Sequence, residues 1–105
     1  MKALLLAIVA ASTMLVAAQA NAADASALAQ KSGCLACHSI DKKVLGPAYK
    51  EVAAKYKGDK SAEAKLVAKV KAGGSGVWVP MPMPPMSPQV KDADITTIVQ
   101  WILSL

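Results

Sequence analysis

The chain has 105 residues, of which 54% are hydrophobic and 18% are charged, and its formal net charge is +5 at pH 7. All 12 basic residues are lysines and only 4% of the residues are aromatic, which argues against a nucleic-acid partner, because arginine forks and stacked aromatic rings are used to bind bases. The two cysteines and one histidine are too few to complete a four-ligand zinc site.

The first 22 residues have the pattern of a secretory signal peptide. Lys2 precedes an apolar stretch from Ala3 to about Ala18, and the small residues Ala20-Asn21-Ala22 follow it. This apolar stretch is short for a membrane span and ends in a cleavage pattern, so a retained membrane anchor is the less favoured alternative. We expect a single domain over residues 23–105, exported to the periplasm and not stably inserted in the membrane after the signal peptide is cleaved.

Apolar spacing in the remaining chain predicts an all-α fold of about four short helices and no strand. The predicted helices cover residues 24–32, 48–57, 61–73 and 92–105. Asp24 and Ser61 are the predicted N-terminal caps of the first and third helices. The predicted inward residues are Ala25, Leu28, Ala29, Val52, Ala53, Tyr56, Leu66, Val67, Val70, Ile95, Ile98, Val99 and Ile102.

The run Cys34-Leu35-Ala36-Cys37-His38 follows the first predicted helix and is the attachment signature of a c-type haem. Two thiols separated by two residues can form thioether bonds to one porphyrin, and the adjoining imidazole can bind its iron. The alternatives are a redox-active cysteine pair, a small disulfide loop or half of a zinc site. A thioredoxin-like motif would follow a strand rather than a helix. We therefore predict one covalent haem c, which would also supplement the core of a small domain.

A proline-rich loop from Gly73 to Val90 separates the third and fourth predicted helices, and its stiff backbone is suited to holding a ligand. His38 is the only histidine, so a second histidine from this chain cannot bind the iron. Met81, Met83 and Met86 are the favoured candidates, because a neutral thioether favours ferrous iron. Lysine, tyrosine, a terminal amine, water or no second ligand at all remain alternatives.

The chain resembles the small bacterial class I cytochromes c, which are single-haem periplasmic electron carriers. The resemblance covers residues 23–105 and rests on five segments: Gly33-Cys34-x-x-Cys37-His38, Val44-x-Gly46-Pro47-Ala48-Tyr49, Gly76-Val77-Trp78, Pro82-Met83-Pro84-Pro85 and Trp101-Ile102-Leu103-Ser104. It implies thioether bonds from Cys34 and Cys37, with His38 as the proximal and Met83 as the distal iron ligand.

The same resemblance implies two supporting contacts. The carbonyl of Pro47 would accept the ring N–H of His38, and the Trp78 indole would donate to a haem propionate. The alternative for Trp78 is an ordinary core aromatic. Two positions depart from the family pattern: Val79 replaces a frequent glycine, and Met86 replaces a residue that is often polar. We expect Met86 to pack against the haem surroundings.

We predict a monomeric, soluble carrier of single electrons with no enzymatic activity. The resemblance implies a membrane cytochrome complex as donor and a reductase, such as nitrite reductase, or an oxidase as acceptor. We expect an exposed apolar rim to dock these partners, with Lys42 and Lys43 steering them. Its predicted members are Leu35, Val44, Leu45, Pro80, Met81, Pro82 and Pro84. A haem peroxidase or a gas sensor would instead need an iron ligand that dissociates.

Overall fold

A computed structural model describes residues 24–78 and 80–105 of the chain. These residues form four α-helices and no β-strand: α1 Ser26–Lys31, α2 Tyr49–Lys55, α3 Ala62–Ala72 and α4 Asp92–Leu103. The prediction of an all-α fold of about four short helices is confirmed, with each helix somewhat shorter than predicted. The predicted signal peptide, residues 1–22, and Val79 lie outside the described residues.

Helix α4 is the centre of the fold, because α1, α2 and α3 all pack against it. Its residues Ile95, Ile98, Val99 and Ile102 are buried, as their helical spacing predicts. Trp101 is also buried, and it joins a core cluster with residues of α1 and α2. The C-terminal helix therefore supplies the surface on which the other elements are arranged.

The prediction of which residues of α3 point inward is only partly correct. Leu66 and Val70 are half-buried and line a cleft next to α4, whereas Val67 lines a separate surface groove. Ala62 is the one buried residue of the helix. Leu66 and Val70 lie on the part of α3 that borders this cleft beside α4, which explains why their side chains remain partly accessible.

The two predicted helix caps differ from expectation in detail. Asp24 lies one residue before the N-cap of α1, and its carboxylate accepts the Ser26 N–H at 2.8 Å. Ser61 occupies the N-cap position of α3 as predicted, but its hydroxyl donates to Asp59 at 2.6 Å instead of accepting a helix N–H. Asp59 also accepts the Ser61 backbone N–H at 2.9 Å. An acidic side chain therefore organises the start of α3.

The segment from residue 73 to residue 91 connects α3 to α4 without regular structure, as predicted. Its one β-type contact among the described residues is an isolated antiparallel bridge between Gly74 and Met83. This bridge brings the proline-rich part of the loop back to the end of α3. Across the described parts of the chain, none of the helices has the length and apolar character needed to cross a membrane.

Candidate functional site

The cysteine pair and the histidine lie in a tight turn directly after α1. Gly33 ends the helix with a φ of 84°, a left-handed conformation that glycine adopts without strain. The N–H groups of Cys37 and His38 then both donate to the carbonyl oxygen of Cys34, at 3.2 and 3.0 Å. The turn brings both thiols and the imidazole to the wall of one cleft.

The imidazole of His38 is oriented by the backbone of Pro47. Its Nδ1 atom lies 2.9 Å from the Pro47 carbonyl oxygen, and Pro47 is buried. Because a carbonyl can only accept, Nδ1 must carry the proton, which leaves the lone pair of Nε2 available for a metal. The contact has the geometry that the resemblance implies, while the iron-binding role of His38 stays a prediction.

Two aromatic rings and a glycine hold the His38 ring in place. Tyr49 stacks on it with ring centroids 4.9 Å apart, and Trp101 meets the edge of Tyr49 at 5.7 Å. A Cβ at Gly46 would lie 2.5 Å from the ring carbon Cε1 of His38, so any side chain there would displace the imidazole. The sequence analysis named Gly46 only as part of the segment Val44-x-Gly46-Pro47-Ala48-Tyr49, and it missed this packing role.

Burial affects the ionisation of two groups beside the histidine. It raises the pKa of the Tyr49 phenol strongly, which keeps that ring neutral while it stacks on His38. Burial also raises the pKa of the Cys34 thiol, although contact with Tyr49 partly offsets the effect. Before thioether formation, Cys34 is therefore a neutral thiol in an apolar setting.

All three candidate methionines line the same cleft as His38. Met81 has 54% of its surface exposed, whereas Met83 and Met86 are half-buried. The Met83 backbone forms two hydrogen bonds of 2.9 Å with Gly74, and the Met86 backbone also forms two, with Val70 and Val90. The structure thus brings Cys34, Cys37, His38 and all three methionines to one cavity.

The rest of the cleft is lined mainly by apolar side chains from α2, α3 and α4. They are Val52, Leu66, Val70, Ile95, Ile98, Val99 and Ile102. The cleft encloses a cavity of about 150 Å³ and is open to solvent on one side. Its lining is apolar, as is typical of cofactor sites.

Lys69 contributes the only lysine side chain among the cleft-lining residues. It is half-buried on α3, and its Nζ atom lies 3.0 Å from where a Cβ at Gly74 would be. A cation at the wall of an apolar cleft is suited to pairing with a carboxylate of a bound cofactor. Sequence reasoning missed Lys69 because nothing in the local pattern separates it from the other lysines.

Trp78 also lines the cleft and is 37% exposed, so it is not packed in the protein core. The Nζ atom of Lys55 lies 5.3 Å from the centre of its ring, within the range of a cation–π contact. The indole is therefore fixed near the cleft by a residue of α2. Donation of its N–H to a haem propionate remains a prediction.

The donor set and the apolar lining of the cleft fit a haem c. The thiols of Cys34 and Cys37 have the spacing for two thioether bonds, and the apolar walls suit the porphyrin faces. His38 presents an unprotonated ring nitrogen, Met83 a thioether, and Lys69 a cation for a propionate. Each chemical part of such a cofactor has a matching residue in the cleft.

Residues 22–105 match a family model described as Cytochrome c. Cytochrome c-551 of Pseudomonas aeruginosa is 48% identical over 100 residues, which cover 95% of this chain and 93% of the relative. Cytochrome c-551 of Allochromatium vinosum is 59% identical over 78 residues, or 74% of this chain and 82% of that protein. The crystal structure of wild-type cytochrome c552 of Nitrosomonas europaea superimposes with a TM-score of 0.73 at 49% identity, covering 78% of this chain and 99% of that chain.

Proposed function

The chain belongs to the cytochrome c family of electron carriers, and we propose that His38 and Met83 hold the iron of its single haem c while it carries electrons through the periplasm. The haem, attached through Cys34 and Cys37, supplies an iron that alternates between the ferrous and ferric states. The proposed donor is a membrane cytochrome complex, and the proposed acceptor is a reductase, such as nitrite reductase, or an oxidase.

The ligand assignment is supported by the placement of both residues at one cleft, where hydrogen bonds hold the ring of His38 and the backbone of Met83. The Pro47 carbonyl accepts the Nδ1–H of His38 at 2.9 Å, and Gly74 forms two backbone hydrogen bonds with Met83. If His38 and Met83 hold the iron before and after electron transfer, the iron would reorganise little and would offer no position to a substrate, which suits a carrier.

We propose that the apolar rim of the cleft is where redox partners dock. Leu45 and Met81 line the cleft, and each has more than half of its surface exposed. The neighbouring Val44 is equally exposed, and Lys42 and Lys43 precede it in the same exposed turn. Small apolar contacts surrounded by charges favour the brief complexes that a shuttle needs. Among the predicted rim residues, Leu35 is half-buried rather than exposed.

We also propose that residues 1–22 are a signal peptide and that the exported domain, residues 23–105, acts as a monomer. The family match begins at residue 22, which supports this division. The charge and cleavage pattern of the leader supports export to the periplasm, the compartment in which the proposed partners would meet the carrier.

The test is ligand binding to the purified, haem-loaded protein. If the carrier function is correct, the reduced protein binds carbon monoxide slowly and incompletely, because Met83 must first leave the iron. The oxidised protein shows the weak far-red absorption band of methionine sulfur bound to ferric haem. Rapid and complete binding of carbon monoxide, together with absence of that band, would instead favour a sensor or a peroxidase with an open iron.

A further inference from the structure

The backbone of Met83 is held by Gly74, two residues after α3 ends at Ala72. The N–H of Gly74 donates to the Met83 carbonyl oxygen at 2.9 Å, and the N–H of Met83 donates to the Gly74 carbonyl oxygen at 2.9 Å. Because residues 82, 84 and 85 are prolines, Met83 supplies the only backbone N–H in the run 82–85. That single donor is used to attach the run to the end of the helix.

Two further hydrogen bonds continue this attachment along the loop. The N–H of Met86 donates to the carbonyl of Val70 at 3.0 Å, and the N–H of Ser87 approaches the carbonyl of Lys71 at 3.4 Å. Carbonyl groups in the last turn of a helix have no partner within the helix and need one outside it. The loop therefore caps α3, and α3 in turn fixes the path of the loop.

Gly73 permits the close approach between the two segments. A Cβ at this position would lie 2.4 Å from the Met83 carbonyl oxygen, 2.7 Å from the Pro85 nitrogen and 2.9 Å from the Pro84 carbonyl carbon. All three atoms are backbone, so they can move only if the loop moves. Gly73 also has a φ of 69°, in the region that favours glycine. It is not itself among the residues that line the cleft.

We infer that Gly73 is a positioning residue for the axial methionine: contact between its bare Cα and the 83–85 backbone sets where the sulfur of Met83 lies. This inference rests on the proposed role of Met83 as iron ligand. A side chain at Gly73 would push the loop away from α3. The thioether would then bind the iron less tightly, although no residue that contacts the haem is changed.

The test compares Gly73→Ala with Gly58→Ala in the haem-loaded protein. Gly58 has a φ of 81°, and no atom lies within 4 Å of the place that a Cβ would occupy, so its replacement adds backbone strain without a clash. Imidazole, which competes with methionine for ferric iron, is the probe. We expect its apparent affinity to rise about tenfold in Gly73→Ala and to change less than about twofold in Gly58→Ala.

The far-red band of the oxidised protein should weaken in Gly73→Ala and stay unchanged in Gly58→Ala. Equal imidazole affinities and equal bands in the two variants would overturn the inference, since both glycines would then serve only their local turns. The spectrum of Met83→Leu distinguishes two explanations for such a result: that Gly73 does not position Met83, or that Met83 is not the iron ligand. Retention of the band in that variant would show that Met83 is not the ligand.

A second measurement does not depend on whether Gly73→Ala folds. Hydrogen exchange of the residue-83 amide is compared between the wild-type protein and Met83→Leu, which has no iron–sulfur bond. If α3 holds the loop, protection of this amide in the variant stays within about threefold of wild type. Loss of protection would show that the iron holds the loop in place, and it would overturn the inference.

Discussion

The Nδ1 atom of His38 lies 2.9 Å from the carbonyl oxygen of Pro47, and this contact fixes both the orientation and the tautomer of the only histidine. The ring is confined on a second side by Gly46, where a Cβ would lie 2.5 Å from Cε1. Stacking on Tyr49 completes the confinement. The imidazole that we propose as the proximal ligand is therefore positioned by backbone and packing contacts of the protein itself.

Replacement of Gly46 by alanine should displace the His38 ring. The added methyl group would overlap the imidazole, and Gly46 does not have a φ in the left-handed range, so the effect is steric. We expect a loss of about 1–3 kcal/mol in the free energy of unfolding, together with an altered haem absorption spectrum. Gly33→Ala is the control, since it adds strain with nothing within 4 Å of the new methyl. An unaltered spectrum in Gly46→Ala would contradict the prediction.

Replacement of Lys69 by glutamine should lower the reduction potential. A cation at the cleft wall favours the reduced haem, which carries one positive charge fewer than the oxidised form, and removing the cation removes this preference. Protein-film voltammetry measures the potential, and we expect a decrease on the order of tens of mV. Lys65→Gln, an exposed position on the same helix, should change it little. Equal reduction potentials in the two variants would show that the charge of Lys69 does not act on the haem.

Replacement of Leu45 by glutamate should slow electron transfer to a purified partner. Leu45 is 51% exposed at the cleft mouth, and a charge placed there would have to be desolvated when the partner docks. Stopped-flow spectroscopy should give a second-order rate constant about tenfold lower. Thr97→Glu, on an exposed part of α4 that does not line the cleft, serves as the control. If both variants react at the wild-type rate, docking occurs on another surface.

Replacement of Asp59 by alanine should destabilise the protein in a pH-dependent way. Hydrogen bonds from Ser61 hold the pKa of the Asp59 carboxyl below its ordinary value of 3.8. A folded-state pKa that is lowered stabilises the protein above the unfolded-state pKa, and this contribution is lost as the pH falls through the folded-state value. Urea unfolding at pH 7 and below pH 3.8 should show a difference between wild type and variant that shrinks in acid. If the difference in unfolding free energy between wild type and variant does not change with pH, ionisation of Asp59 does not contribute to stability.

The fold and the attachment motif could be predicted because both are local patterns. Ile95, Ile98, Val99 and Ile102 recur at helical spacing, and all four are buried in α4. The run from Cys34 to His38 identified the covalent cofactor, which agrees with the family match. In each case one short segment contains the whole signal, so no knowledge of its neighbours in space is needed.

Contacts between distant segments could not be predicted in the same way. Lys69 contributes to the cleft only because α3 turns one side toward it, and eleven other lysines have the same local character. The close approach of Gly73 to the backbone at Met83 joins positions that are separated by a proline-rich loop. Ser61 occupies the predicted cap position of α3, but its hydroxyl bonds to Asp59, and the frequency of serine at helix caps does not reveal this contact.

The most direct test of the central claim is the far-red absorption of the oxidised, haem-loaded protein and of three variants, Met81→Leu, Met83→Leu and Met86→Leu. All three methionines line the cleft, so each variant removes one possible sulfur ligand. If Met83 binds the iron, the band is present in the wild type and in the first and third variants and is lost in Met83→Leu. Persistence of the band in Met83→Leu, or its absence from the wild type, would contradict the assignment of His38 and Met83 as the two iron ligands.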